Sequence, residues 1–380
     1  MGALAFSLQI GPLYAQTAHP SDPFACAGIA NDSLRLACYD RAVGRTLVHD
    51  DETRSVQQDN AIPAQQSTTR SASSGRKTHS TDSLKLQHLF DAERLALKKR
   101  ARPVDKGTPH TSLLNSRWEL DPNSKLGPYT IRGYKPVYVM PLFYMTSVNN
   151  TPSSPSPGHT VSGSENLQHE EAKFQLSFKT KIWEGVFGKY GDLWLAYTQD
   201  SHWQVYNGRN SRPFRETNYE PEAMLVFDTN YHVLGWRGHL LGIGLNHQSN
   251  GRSNPLSRSW NRIVADIGFE RGPWTLMIRP WWRIPENRAH DDNPNISDYM
   301  GRAEVQLVRE WRANEFTLMG RHSLRRGSHS HGAMEFTWAF PIHDNLRGYV
   351  QVFNGYGESL IDYNHRATYV GLGVSLLGWY

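Results

Sequence analysis

Nowhere in its 380 residues does this chain carry the run of about 18 apolar residues that a membrane-spanning helix needs, although 38% of its residues are hydrophobic and 11% aromatic. Helical spanning is thereby excluded beyond the N-terminus. Cysteine is scarce: Cys26 and Cys38 are the only two, and a metal site needs more ligands than two sulfurs supply. Charge of one sign is lacking as well. Lys and Arg number 41 against 36 Asp and Glu, and the resulting +5 is scattered along the chain, so no nucleic-acid partner is implied. Also missing are a G-x-S-x-G elbow, an H-E-x-x-H pair and a P-loop. The run DDNPN, Asp291 to Asn295, begins like a calcium loop but has Ile296 where an EF-hand requires glycine.

What the chain does have is alternation. In the stretch ending at Ser249, residues Leu241, Ile243, Leu245, His247 and Ser249 share one parity, while Gly242, Gly244, Asn246 and Gln248 share the other. After a loop the pattern resumes, with Asn261, Ile263, Ala265, Ile267 and Phe269 on one face and Trp260, Arg262, Val264, Asp266 and Gly268 on the other. An apolar outside with small and polar residues inside is the signature of a transmembrane barrel wall. Closure is what lets strands cross lipid, because every backbone group then has a partner. The mean hydropathy of −0.60 is what such alternation leaves.

Segments of this kind recur, separated by turn-formers such as Asn149-Asn150, Gly208, Asn230, Asn287, Asn314 and Asn345. Twelve are expected, near 134–146, 171–182, 191–204, 221–233, 239–250, 259–271, 273–284, 297–312, 314–325, 332–343, 346–356 and 367–380. The fold class read from them is all-β, a twelve-stranded antiparallel transmembrane barrel over 116–380, with Glu304, Gln306, Arg321 and Glu335 filling its lumen. Trp281, Trp282, Trp338 and Tyr349 suit interfacial girdles, and His329 and His331 read as solvated turn residues.

Ahead of the barrel, Ala3 to Ile10 is a short apolar segment followed by small residues, which resembles the end of a secretory signal over 1–18, without the usual basic start. Residues 19–50 hold Cys26 and Cys38, which in an exported chain read as one local disulfide. Residues 51–115 are rich in Ser, Thr, Gln and charge and cannot bury enough apolar surface to order themselves. A short surface helix is plausible within this linker, at 83–102.

The chemistry-bearing residues lie at the turn between the two alternating stretches, HQSNGRSNPLSRSWNR, His247 to Arg262. A serine becomes a nucleophile when a histidine takes its proton, and the histidine works when a third group orients its ring. Ser249 and His247 share a face, and facing residues of adjacent strands lie about 5 Å apart, so Asn261 on the returning strand can meet the imidazole. A neutral amide suits a lipid-facing position where an ionised aspartate would cost several kcal/mol. The loop Asn250 to Ser259 offers amides for an oxyanion and oxygen atoms for a hard cation such as calcium.

With these residues in view, the chain resembles the outer-membrane phospholipase A family of Gram-negative bacteria. The resemblance rests on His247 to Arg262, on RETNYEP (Arg215 to Pro221), on DDNPNISDYMG (Asp291 to Gly301) and on GYGESLIDYN (Gly355 to Asn364), in that order over roughly 118–380. The N-terminal extension is expected to lie outside it. The resemblance implies a calcium-dependent enzyme of the outer membrane that hydrolyses sn-1 and sn-2 ester bonds of phospholipids and lysophospholipids and is active as a homodimer. By matching motif, Ser249 is the nucleophile, His247 the base and Asn261 the orienting residue, and the amides of Ser249 and Gly251 contribute to the oxyanion hole. The matching calcium ligands are the Arg252 carbonyl and Ser257 from one protomer and Ser211 from the other, with Asp292 belonging to a second, weaker site. Gln199 matches a polar residue that hydrogen-bonds across the family's dimer interface. One departure is Asn254, where familiar members carry an aspartate.

Two readings compete. A porin or small-solute channel would use the same barrel with His247 and Ser249 as incidental residues. A structural or adhesion barrel would find partners for residues 20 to 110.

Overall fold

The computed structural model describes residues 26, 28, 29, 31–42 and 112–378. The signal-like segment at 1–18 and the linker with its expected helix at 83–102 lie outside the described residues.

Thirteen strands make one sheet. A short strand β1 (Ile131–Gly133) leads into β2 (Val137–Met145), β3 (Glu170–Trp183), β4 (Asp192–Trp203), β5 (Phe214–Val233), β6 (Trp236–Ser249), β7 (Ser259–Arg271), β8 (Trp274–Arg283), β9 (Ala303–Trp311), β10 (Asn314–His322), β11 (Gly332–His343), β12 (Leu346–Tyr356) and β13 (Arg366–Leu377). Each of β2 to β13 pairs antiparallel with its chain neighbours, and β13 pairs back onto β2, so twelve strands close a barrel while β1 pairs with β3 alone. Closure removes the free edge, as crossing a bilayer by strands requires. At one end the strands are joined by tight connections such as 234–235, 272–273 and 344–345. At the other they are joined by long loops, 146–169, 204–213, 250–258, 284–302, 323–331 and 357–365. Long loops mark the extracellular end of such barrels.

The wall follows the parity expected from sequence. Leu241, Ile243 and Leu245 are 43%, 52% and 59% exposed on the outer face, while Leu240, Asn246 and Asp266 are buried inside. The interior is polar and closely paired. Arg279 bonds Glu222 and Tyr134, and Lys173 pairs with Glu358 at 2.5 Å. A lumenal cavity of about 80 Å³, lined by residues including Gln175, Asp200, Glu220 and Arg321, has room for a few waters. Toward the tight-turn end, helix α2 (Leu113–Trp118) is capped by Ser112 and docked through Glu270, which accepts from the Leu114 amide at 2.9 Å. Its Leu114 and Trp118 join Tyr134, Trp194 and Met224 in a buried cluster. Among the described residues no helix is long and apolar enough to cross a membrane. In the separate N-terminal unit, helix α1 (Asp32–Ala42) carries Cys38, which forms a disulfide with Cys26.

Four sequence expectations need correction. Strand β5 begins at Phe214 rather than near 221, because Glu216, Asn218, Glu220 and Glu222 point into the lumen and hide its alternation behind charge. The segment 297–312 becomes a strand only at Ala303, since Ile296–Tyr299 forms helical turn α3, with Ile296 and Met300 buried beside Trp260 and Trp281. Trp281 and Tyr349 face inward, not the membrane interface. Trp281 donates its indole N–H to the Gly301 carbonyl at 2.9 Å, and Tyr349 stacks on Tyr138 with ring centroids 5.0 Å apart. Trp282 and Trp338 do face outward. His329 is exposed, but His331 stacks on Tyr299 at 4.2 Å and is not simply solvated.

Candidate active site

The β6 and β7 strands run in unbroken register from Leu240 opposite Gly268 to Ser249 opposite Ser259, placing His247 directly across from Asn261. Just beyond the ladder, the Asn250 amide donates to the Arg258 carbonyl at 3.0 Å. By the alternation of antiparallel pairing, the 249–259 and 247–261 pairs then occupy non-hydrogen-bonded positions, where facing side chains approach most closely. The result is a hydrogen bond of 2.8 Å between His247 Nδ1 and Asn261 Oδ1. The Asn261 amide donates onward to Glu286 Oε1 at 3.0 Å, a contact that sequence reasoning missed because Glu286 sits on a different loop. Ser249 Oγ shares the outer face with His247 but has no hydrogen-bond partner among the described residues. Catalytic hydrogen bonds often tighten only with substrate in place.

The pair of strands is backed by rigid packing. Trp260, between Ser259 and Asn261, is fully buried, donates its indole N–H to Gln248 at 2.9 Å, and lies edge-on to Trp281. Arg262 covers its ring at 4.1 Å. Side chains that are locked from within hold a surface constellation to a narrow geometry.

The loop after Ser249 is organised by Asn250, whose side chain accepts from the Arg252 and Arg258 amides at 3.2 and 3.0 Å and donates to the Leu256 carbonyl at 2.8 Å. Gly251 has φ +62°, the left-handed region, and a Cβ there would lie 3.1 Å from the Tyr219 ring. Its amide finds no acceptor among the described residues. The buried Arg258 binds the carbonyls of Pro255, Ser257 and His159. Burial holds its guanidinium below the ordinary arginine pKa, against the opposing pull of Tyr363, Glu216 and Asp292.

The structure brings Ser257 and Asp292 together, although sequence reasoning assigned them to separate sites. Ser257 Oγ donates to Asp292 Oδ2 at 2.6 Å, and His159 Nε2 lies 3.0 Å from Asp292 Oδ1. Arg252 lies on the same loop, its guanidinium bonding the Phe214 and Arg215 carbonyls. Asn254 is exposed on it. Ser211 is exposed on the neighbouring loop with φ +56°. Among the described residues no three His, Cys, Asp or Glu side chains converge on a metal position, so a cation would rest on hydroxyl and carbonyl oxygens with one carboxylate. That donor set fits calcium, which takes such oxygens in flexible geometry. Gln199 stands apart on β4, facing outward beside Leu195 and Tyr197, with weak bonds to Tyr197 and Ser201 at 3.3 and 3.4 Å.

Residues 114–376 match the family model described as phospholipase A1. The chain belongs to the phospholipase A1 family. It is 39% identical to phospholipase A1 of Escherichia coli K12 over 249 residues, 66% of this chain and 82% of that one. A Neisseria meningitidis serogroup B protein provisionally named phospholipase A1 is 37% identical over 377 residues, 98% of this chain and 95% of that protein. With that relative the likeness therefore extends into the N-terminal extension, which the sequence reading placed outside the resemblance. Among solved structures, outer membrane phospholipase A of E. coli superposes with TM-score 0.59 at 36% identity, covering 66% of this chain and all of that one. The Salmonella typhi outer membrane phospholipase dimer with bound calcium gives TM-score 0.60 at 37% identity, covering 67% and 95%. This family member is an enzyme, an outer-membrane phospholipase.

Proposed function

We propose that the chain hydrolyses sn-1 and sn-2 acyl ester bonds of glycerophospholipids, and those of lysophospholipids, with Ser249, His247 and Asn261 working at the outer face of the barrel. The observation that carries this reading is the 2.8 Å bond from His247 to Asn261 on a wall built mainly of aliphatic and aromatic residues. A polar pair facing hydrocarbon is costly, and such residues mark function by default. With Asn261 Oδ1 accepting, the imidazole carries its proton on Nδ1 and turns the Nε2 lone pair toward the neighbouring strand position of Ser249.

In the acylation step, Ser249 Oγ attacks the ester carbonyl while His247 Nε2 takes its proton. The developing oxyanion would be met by the amides of Ser249 and Gly251, the latter having no acceptor among the described residues. Collapse expels the glycerol oxygen, which leaves with the proton from His247, and the acyl group remains on Ser249. Water activated by His247 then releases the fatty acid and restores the serine.

Calcium would be held by the Arg252 carbonyl and Ser257 of one protomer with Ser211 of a second copy, and Asp292, which accepts from Ser257 at 2.6 Å, would serve a further site adjoining it. When bound, it supplies Lewis-acid polarisation to the ester. The S. typhi relative's dimeric, calcium-bound state supports calcium and a second copy as parts of this reading, and an E. coli relative was solved as an active-site variant with asparagine replaced by alanine. Gln199, polar on a lipid-facing wall and held only by long bonds to Tyr197 and Ser201, would find a further partner in the second copy. The test is fatty-acid release from phosphatidylethanolamine mixed micelles by wild type and Ser249→Ala, each with calcium or chelator. Hydrolysis that needs both Ser249 and calcium is expected; equal hydrolysis by Ser249→Ala would overturn the assignment.

A further inference from the structure

The relay does not stop at Asn261. Its amide has two ends, and either could face His247: with oxygen forward the imidazole proton is drawn to Nδ1, with nitrogen forward it is forced to Nε2, where the ring cannot act as a base toward Ser249. Nothing in the His247–Asn261 pair alone decides between them, because a neutral imidazole nitrogen can donate or accept.

Glu286 decides it. A carboxylate only accepts, so the Asn261 nitrogen must point at Glu286 Oε1, 3.0 Å away, and the oxygen must then face His247. The carboxylate is held for this role by its own segment. The Ile284 amide donates to the Asn261 carbonyl at 2.8 Å, continuing the pairing one residue past the end of β8. Arg283 ties the same loop to itself through Asp291 at 2.6 Å and the Pro294 carbonyl at 3.0 Å. The half-buried Glu286 has no cationic partner among the described residues; its bond goes to a neutral amide.

We infer that Glu286 is a positioning residue, a fourth member of a Ser249–His247–Asn261–Glu286 relay, which sets the polarity of the hydrogen-bond chain and adds a negative charge behind the imidazolium without placing an ionised group against the lipid-facing imidazole. The inference rests on the triad proposed above. It assigns the loop 284–302 a part in catalysis besides carrying Asp292.

The experiment measures kcat and KM on a short-chain phospholipid, with the rate of Ser249 phosphonylation by a fluorophosphonate, for refolded full-length protein with calcium. Glu286→Gln, which can still accept, is expected to lose less than about tenfold in kcat. Glu286→Lys, which demands oxygen from Asn261 and so reverses the chain, is expected to lose on the order of 100-fold in kcat with KM nearly unchanged. Adding Asn261→Asp to Glu286→Lys restores an acceptor toward both neighbours and should recover at least about tenfold, whereas Asn261→Asp alone sets two carboxylates together and should not. A merely structural glutamate would give no such reciprocal rescue. Unchanged kcat in Glu286→Lys, or no recovery in the double variant, overturns the inference. Phosphonylation that persists in Ser249→Ala would instead overturn the triad itself, so the two failures are distinguishable.

Discussion

The inside and outside of this barrel use polar residues in opposite ways. Inside, charge is abundant and almost everywhere answered: Arg215 bonds Glu171 and Asp362, Lys181 pairs with Glu119 and Asp192, and Arg279 with Glu222. Outside, polar side chains are few, and His247, Ser249, Asn261 and Gln199 stand among Leu, Ile, Val and aromatic residues. The lumenal charges bind the wall together across its width. The outer ones gain little from their surroundings, which is why they read as chemistry. Polarity by itself therefore says nothing about where the site lies; polarity on the face where it is unfavourable does.

The comparison can be broken most severely at the site. Ser249→Ala and His247→Ala are each expected to lower hydrolysis by at least about 10³-fold while the barrel keeps its heat-modifiable electrophoretic mobility. Gly251→Ala should cost on the order of 10²-fold in kcat, because a side chain at φ +62° beside Tyr219 shifts the proposed oxyanion amide. Substitutions inside should do the reverse. Arg279→Met strands Asp266, leaves Glu222 with Lys135 at 3.8 Å and the Tyr134 hydroxyl at 3.4 Å, and is expected to cost about 3 kcal/mol of stability. Urea titration should show the loss, with specific activity of the folded fraction preserved. Gln199→Leu is expected to lower the dimer fraction in calcium severalfold by analytical ultracentrifugation, without changing the monomer's stability. The smallest effect is at Asn254: Asn254→Asp should lower the calcium concentration for half-activity by a few-fold, and superimposable titrations would remove the idea.

How much of this was legible beforehand follows the range of the interactions. Alternation is local, so the barrel class, its strand number and the limits of β7, β11 and β12 could be read directly from residues such as Leu241 to Ser249. The placement of His247 opposite Asn261 also needed only a tight register. Where lumenal charge replaced small residues, as from Arg215 to Glu222, the local signal failed and β5 was read too short. Trp281 and Tyr349 were turned the wrong way because aromatic residues suit both an interface and a packed interior, and only their partners Gly301 and Tyr138 decide it. Glu286 on Asn261, Asp292 on Ser257 and His159 on Asp292 join segments 25 to 133 residues apart in sequence. No spacing rule within one segment could have found them.

The central claim is that an activated serine faces lipid rather than the lumen or water. It is tested most directly by mapping the residue modified by a long-chain alkylsulfonyl fluoride and by its short, water-soluble analogue in detergent micelles with calcium. The account predicts a single adduct on Ser249, formed much faster by the long-chain reagent and abolished in His247→Ala. Modification of Ser249 at equal rates by both reagents, or an adduct on another residue, would contradict it.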